Sequence, residues 1–313
     1  MLIKNKIIFM GTPRIAAECL KAILARDDVQ VLAVVCQPDK PIGRKQQIIF
    51  SPVKTIAIQK NIPVLQEVKI SILYDKIKEL NPDLIFTCAF GQFIPENILF
   101  IPKYHCINLH ASLLPKLRGG APIHWAIINH EKITGFSLMY MTKKMDAGNI
   151  IKQYSIAISD SETYSSLHDK LCLLAQTIIA NDFTMLFQKQ LPSIVQDEKN
   201  VTFGYNITRD NEKIKWDDTA INIDALIRGL YAIPCAYTIY NNQAIKIHQA
   251  NIINVASTSS PGIIHAIDKN GIQVNTQDKI INLKIIQLPG KKPCNINQLI
   301  NGNHNFKIGQ KFI

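Results

Sequence analysis

Three polar side chains in two stretches of the chain could do chemistry together. Asn108 and His110 stand in Asn108-Leu109-His110-Ala111-Ser112-Leu113-Leu114-Pro115, and Asp146 follows in Met145-Asp146-Ala147-Gly148. If Cys106-Ile107-Asn108-Leu109 is a strand, alternation turns Asn108 and His110 to the same side at its carboxyl end. A neutral amide donor beside an imidazole suits an oxygen that gains negative charge when a nucleophile adds to a carbonyl. Asp146 can pair with His110 and orient it or keep it charged. A lone histidine at a strand end is more often structural. The constrained loop Pro115-Lys116-Leu117-Arg118-Gly119-Gly120-Ala121-Pro122 and the later aspartate shift the balance toward chemistry. No Ser-His-Asp or Cys-His grouping is evident, and Cys106, deeper in the sheet, reads as core. Direct attack by a substrate amine is then the economical mechanism.

Such residues need elements to hold them. Up to about residue 150, β-branched apolar runs (Ile7 to Met10, Val31 to Val35, Leu84 to Thr87, Cys106 to Leu109) alternate with amphipathic segments. The spacing predicts helices over Ala16–Arg26, Val53–Lys60, Ile70–Leu80 and Pro122–His130, then a longer one over Ser161–Gln190. Near-continuous apolar strands joined by helices imply a doubly wound, mostly parallel α/β sheet, Rossmann-like, with active residues on loops at strand ends. After Leu191-Pro192 the pattern becomes a polar linker, one helix around 221–231, and short strands punctuated by Asn-Asn, Pro-Gly and Asn-Gly turns at 241, 261 and 270. That reads as a smaller C-terminal β-barrel, OB-like. The expected division is a catalytic domain over 1–190, a linker over 191–207 and the barrel over 208–313. Gly11-Thr12-Pro13 opens the first helix. It is either a tight strand-to-helix turn or an anion cradle, and it lacks the glycine spacing of a nucleotide-binding loop.

Composition bounds what remains. Hydrophobic residues make up 47% and charged residues 19%, as in a folded globular protein. Seven cysteines without a CxxC pair argue against a disulfide framework or a zinc site, and no metal is expected. No signal segment is visible, and no apolar run comes near the ~20 residues of a helical span. A cytoplasmic protein is the expectation. The net charge of +11 fits a polyanionic partner. It fits equally a Lys-, Ile- and Asn-rich composition imposed by genome base bias. The surplus is shared, with 22 basic against 15 acidic residues up to position 190 and 13 against 9 beyond it.

The run SLLPKLRGGAP, with its preceding Asn-x-His and its later aspartate, resembles the folate-dependent formyltransferase family, and the resemblance extends over essentially the full length. It implies that 10-formyltetrahydrofolate is the co-substrate, that Asn108 and His110 stabilise the tetrahedral oxyanion, and that Asp146 orients His110 and assists proton movement. Ala89-Phe90-Gly91-Gln92-Phe93-Ile94-Pro95 is similar to the family's pterin-side wall, where backbone groups do the reading; the bland alternative is a strand-turn-helix. Folate contacts then fall to Phe90, Gly91, Gln92, Ile94, Ser112, Leu113, Leu114 and Pro115.

Substrate must be argued from elsewhere. The stretch from Gln37 to Lys45, ending at Ser51-Pro52-Val53-Lys54, resembles the acceptor-stem loop of the family branch that acts on charged initiator tRNA. Its prolines and glycine shape a bend, and Lys40, Arg44 and Lys45 supply cations, although any surface loop can hold three basic residues. Ile214-Lys215-Trp216, Ile227-Arg228-Gly229-Leu230 and Pro234-Cys235-Ala236-Tyr237 are similar to the start of that branch's tRNA-gripping barrel. Arg209, Lys213 and Lys215 are the tRNA candidates there, and Trp216 reads as a core anchor rather than a base platform. Arg14-Ile15 departs from the family's acidic-aromatic pair, and Lys45 from its usual glycine. The implied function is formyl transfer to the α-amino group of initiator methionyl-tRNA by a monomer. An amino sugar nucleotide is the nearest alternative acceptor, ribonucleotide-purine formylation a more distant one, and a tRNA-binding protein without activity the alternative of another class.

Overall fold

Ile7, Ile8, Phe9 and Met10 are fully buried, as a central strand covered on both faces requires. In the computed structural model, which describes residues 4–42, 47–302 and 304–313, they lie in the middle of a seven-stranded sheet. The strands of the first half are β1 (Asn5–Gly11), β2 (Val29–Val35), the two-residue β3 (Pro41–Ile42) and β4 (Gln47–Ile48), β5 (Val64–Leu65), β6 (Leu84–Cys88), β7 (Cys106–His110), β8 (Ile133–Tyr140) and β9 (Ile150–Ala157). Their order in the sheet is β5-β2-β1-β6-β7-β8-β9, while β3 and β4 pair separately. β5 through β7 in that order run parallel, and β8 and β9 close the edge antiparallel. Gly11 ends β1 where a side chain has no room: a Cβ there would come 2.6 Å from Cys88 O and from Ala16 Cβ. Gly-Thr-Pro thus serves the close approach of the first helix, Arg14–Leu24, to the sheet.

The helix predicted over Ser161–Gln190 runs only from Tyr164 to Asp182, followed by a 3-10 turn over Phe183–Phe187. The stretch Tyr164–Phe187 is long and apolar enough to cross a membrane by length and composition, which corrects the expectation that no run approaches that length. Part of its apolar side, Leu171, Ala175, Ile178 and Ile179, is buried, while Leu173 is exposed. The helix over Ile70–Leu80 also starts differently, as a 3-10 turn to Leu73.

Two units emerge. The first comprises residues up to Pro122 with Ile133–Ala157 and His168–Tyr205; the second comprises Ile123–Lys132, Ile158–Leu167 and Asn206–Ile313. The stretch expected as a linker is held within the first unit for most of its length. Ile194 bridges Ile150, Phe203 bridges Arg118, and the Gln196 side chain is buried. In the second unit, the segments taken from the first half pack on the helix Ala220–Gly229. The His124 ring donates to Gly229 O at 2.8 Å, a Cβ on Gly229 would meet Ile128 at 2.6 Å, and Arg228 donates to Glu162 O at 2.9 Å.

The second unit carries an antiparallel sheet of β10 (Ala236–Tyr240), β11 (Gln243–Ala256), β12 (Ile264–Asp268), β13 (Gly271–Asn275), β14 (Lys279–Gln287) and β15 (Cys294–Asn295), in the order β10-β11-β14-β13-β12 with β15 beside β14. Asn241 and Asn242, both at positive φ, make the tight turn between β10 and β11. The last residues close the sheet. Ile239 on edge strand β10 exchanges two 2.9 Å bonds with Ile313, while Phe312 N donates to Gly262 O and Ile264 N to Gln310 O at the β12 edge. Trp216, Tyr240, Phe306 and Phe312 fill the interior, and the Trp216 indole donates to Thr238 at 2.8 Å.

Candidate active site

The site is built at the carboxyl ends of β6 and β7. Thr87 lies opposite Asn108 in the parallel register, and its buried hydroxyl donates to Asn108 Oδ1 at 2.8 Å. The carboxamide is thereby held by its oxygen, and Nδ2 has no protein acceptor among the described residues. Two residues on, His110 is 6% exposed and donates from Nε2 to Leu117 O at 3.0 Å. Its Nδ1 stands 3.7 Å from Asp146 Oδ1. That is ion-pair reach but too long for a hydrogen bond. Both ring nitrogens therefore face oxygen atoms, Nε2 in a hydrogen bond and Nδ1 at ion-pair distance.

Asp146 reaches the ring by an indirect route. β8 runs antiparallel to β7, with Tyr140 opposite Ile107, so the 141–149 loop leaves at the start of β7 and folds back toward His110. Asp146 takes a left-handed φ of 49°, and its Oδ2 accepts from Gly119 N at 2.9 Å. Gln196 pins the loop from behind, donating to Asp146 O at 2.8 Å and Gly148 O at 2.7 Å. Gln196 Oε1 in turn accepts from Arg118 Nε and Nη2 at 3.0 and 2.8 Å. The Arg118 guanidinium, 1% exposed, ends on Glu198 at 2.9 Å and holds that carboxyl below its ordinary range, with Lys144 assisting. Burial pushes the Cys106 thiol far above its usual range, so no thiolate nucleophile stands beside the cluster near neutral pH. A cavity of about 950 Å³ opens around Cys106, Tyr140, Met141 and Leu191, where β7 begins. It is displaced from His110, and the convergence of donors and carboxylate, rather than cavity size, locates the chemistry.

The expected folate residues divide by orientation. Phe90 and Ile94 are buried in the core, which leaves only their backbone groups for a ligand. Gly91 has φ 80°, and Gln92 staples two loops, accepting from Ile70 N and donating to Glu67 O. Ser112 turns inward to Lys116 O, and Leu114 packs with Met139 and Ile150. Ser137 and Gln153 strap this loop through Leu114 N and Leu114 O, while Leu113 and Pro115 stay half-buried.

Of the tRNA candidates, Arg44 and Lys45 lie outside the described residues. Lys40 is exposed on a loop whose base is anchored: the Lys54 ammonium bonds Asp39 and holds its carboxyl below the usual range, and it donates to Gln66 at 2.7 Å. Arg209 lies over the Tyr237 ring at 3.5 Å and pairs with Glu212, with more than half of its side chain exposed. Lys213 is half-buried with its backbone bridged to Tyr237, and Lys215 is exposed.

Thr87 and Gln196 were not legible as site residues. A threonine ending an otherwise apolar strand beside Asn108 is a signal that could have found the first. Gln196 acts across fifty positions and has none. Among the described residues no group of His, Cys, Asp or Glu is arranged to hold a metal ion.

A doubly wound sheet that presents an amide, an imidazole and a carboxylate at its strand ends has the groups that stabilise charge on a carbonyl oxygen during group transfer. The chain belongs to the formyl transferase family: residues 5–181 match the model described as formyl transferase and 206–304 match the model described as formyl transferase, C-terminal domain. Methionyl-tRNA formyltransferase of Malacoplasma penetrans is 49% identical over 97% of this chain and 96% of its own. The protein of the same name from Bacillus cytotoxicus is 43% identical over 98% of each. In fold, the chain is similar to an N-formyltransferase from Helicobacter canadensis solved with folinic acid and dTDP-3-aminofucose, with a TM-score of 0.67 at 20% identity, covering 89% of this chain and 99% of that one.

Proposed function

We propose that this chain transfers the formyl group of 10-formyltetrahydrofolate to the α-amino group of methionine carried by initiator tRNA, acting in the cytoplasm, as a monomer, at the start of protein synthesis. The observation that carries this reading is that identity to the methionyl-tRNA formyltransferases runs through both halves of the chain, the second unit included.

The reaction forms a bond from the amine nitrogen to the formyl carbon and breaks the bond from that carbon to N10 of the folate. One proton passes from the amine to N10. Asn108 Nδ2, with its oxygen held by Thr87, donates to the formyl oxygen as it gains charge. The His110 ring, fixed through Leu117 O, adds positive potential beside it. Asp146 Oδ1 faces the ring while Oδ2 is held by Gly119, so Oδ1 is the oxygen placed to receive the amine proton and pass it on. The backbone at 89–91 and the half-buried Leu113 and Pro115 contact the folate. Lys40, Arg44, Lys45, Lys213 and Lys215 contact the tRNA.

The test is direct. The protein is incubated with 10-formyltetrahydrofolate and, separately, charged initiator tRNA, charged elongator tRNA or an amino sugar nucleotide. Formylation of the first at the highest kcat/KM is expected. Preference for the sugar nucleotide, or no transfer to any acceptor, overturns the reading.

A further inference from the structure

Gln37 stands two residues past the end of β2, at the foot of the loop that carries Lys40. Its main chain is held on both sides. Gln37 N donates to the Thr12 hydroxyl at 3.1 Å, and Gln37 O accepts from Gln66 Nε2 at 2.7 Å. The same Gln66 amide reaches Asp39 Oδ1 at 3.2 Å, and Gln66 Oε1 accepts from Lys54 at 2.7 Å, so one glutamine fastens the start of the loop. The Gln37 side chain serves a different segment. Its Nε2 donates to Phe90 O at 3.0 Å, and a Cβ on Gly91 would lie 3.5 Å from that nitrogen. All of these residues lie within the first unit.

The stretch 89–91 can read a ligand only through its backbone, because the Phe90 side chain is buried in the core. Ala89 at φ 47° and Gly91 at φ 80° make it a sharp left-handed bend. Such a bend presents its amides correctly only while its carbonyls are held, and Gln37 holds the central one. One residue therefore belongs by its backbone to the loop facing the RNA and by its side chain to the wall facing the folate. A ligand that stills the loop also stills Gln37, which leaves less freedom to be lost when the wall closes on the second ligand. Linkage makes the effect reciprocal, with the same factor in both directions.

We propose that Gln37 is a positioning residue shared by the two substrates: it sets the backbone at 89–91 for the folate and ties it to the RNA-facing loop, so that each substrate tightens the other. This rests on the folate and tRNA reading above. The test is equilibrium dialysis of 10-formyltetrahydrofolate with and without uncharged initiator tRNA, which has no amine to accept the formyl group. In the native protein, saturating tRNA lowers the folate Kd about fivefold, and saturating folate lowers the tRNA Kd by the same factor. Gln37→Met keeps the length of the side chain and removes the donor to Phe90 O; Gln37→Glu does the same with a polar group. In both variants the folate Kd without RNA rises about two- to tenfold, the worth of one hydrogen bond, the mutual tightening disappears, and the tRNA Kd measured alone stays at the native value. Absence of tightening in the native protein, its survival in the variants, or a variant whose urea midpoint falls while its binding constants stay native overturns the assignment. Failure of the underlying reading looks different: the native protein itself would not formylate methionyl-tRNA.

Discussion

A carboxamide can turn either end toward a cleft, and at Asn108 the choice is made by Thr87. The threonine has one proton, and its 2.8 Å bond to Asn108 Oδ1 is shorter than its contacts to Ile107 O at 3.4 Å and Met141 Sδ at 3.3 Å. Thr87→Val removes the donor with little change in volume, so the amide loses its preferred end. One hydrogen bond is worth about 0.5–1.5 kcal/mol, and kcat is expected to fall roughly two- to tenfold with both KM values unchanged, while Thr87→Ser retains activity. Steady-state kinetics on the three proteins checks this, and equal loss in the serine variant would contradict it. The pair of His110 and Asp146 carries more. Asp146→Asn preserves an acceptor for Gly119 N while removing the charge beside His110, so its defect reports chemistry rather than folding. Both Asp146→Asn and His110→Ala are expected to lower kcat by at least ~10²-fold, with little change in affinity for tRNA. Single-turnover formylation measured beside a filter-binding titration separates the two effects.

Loops carry the aspartate and the histidine's acceptor, and one glutamine joins them. Gln196 accepts from buried Arg118 and donates to the carbonyls of Asp146 and Gly148. Gln196→Ala would leave a buried guanidinium partly unpaired and two carbonyl oxygens without their donor, a cost of about 2–4 kcal/mol from unsatisfied groups. The expected result is a lower urea midpoint together with reduced kcat, read by denaturation and kinetics on the same preparation. Elements differ in how far the sequence announces them. Asn108 and His110 were placed on one strand face because β7 is a short apolar run with local alternation. The Asn241-Asn242 turn was visible because its residues tolerate left-handed backbone. Gln196 was hidden in a polar stretch that looked like a linker, since its partners lie fifty and more positions away. Closure of the barrel was hidden for the same reason: it depends on the last residues bonding both β10 and the β12 edge. Phe312 is the apolar anchor of that closure, in contact with Trp216 and Tyr240. Phe312→Ala should destabilise the second unit by about 3–5 kcal/mol, which a denaturation curve followed by tryptophan emission would register.

At the scale of the whole chain, the unresolved matter in the sequence was the meaning of the +11 charge. A lysine-rich composition and a surface evolved for a polyanion look alike in a residue count, and both halves of the chain share the surplus. They differ in what salt does to substrate binding. If lysines and arginines neutralise phosphates, each contact releases condensed cations, and log KM for tRNA climbs linearly with log salt at roughly 0.7–0.9 per phosphate contact. Three contacts suffice for a rise of at least about tenfold between 50 and 200 mM salt. 10-Formyltetrahydrofolate carries no condensed counterion atmosphere, so its KM should move far less over the same range. Measuring both constants in one salt series checks each against the other. A steep tRNA line beside a shallow folate line assigns the charge to RNA recognition. Two lines of equal, shallow slope would assign it to composition, and the tRNA would then have to be held by contacts of the uncharged kind.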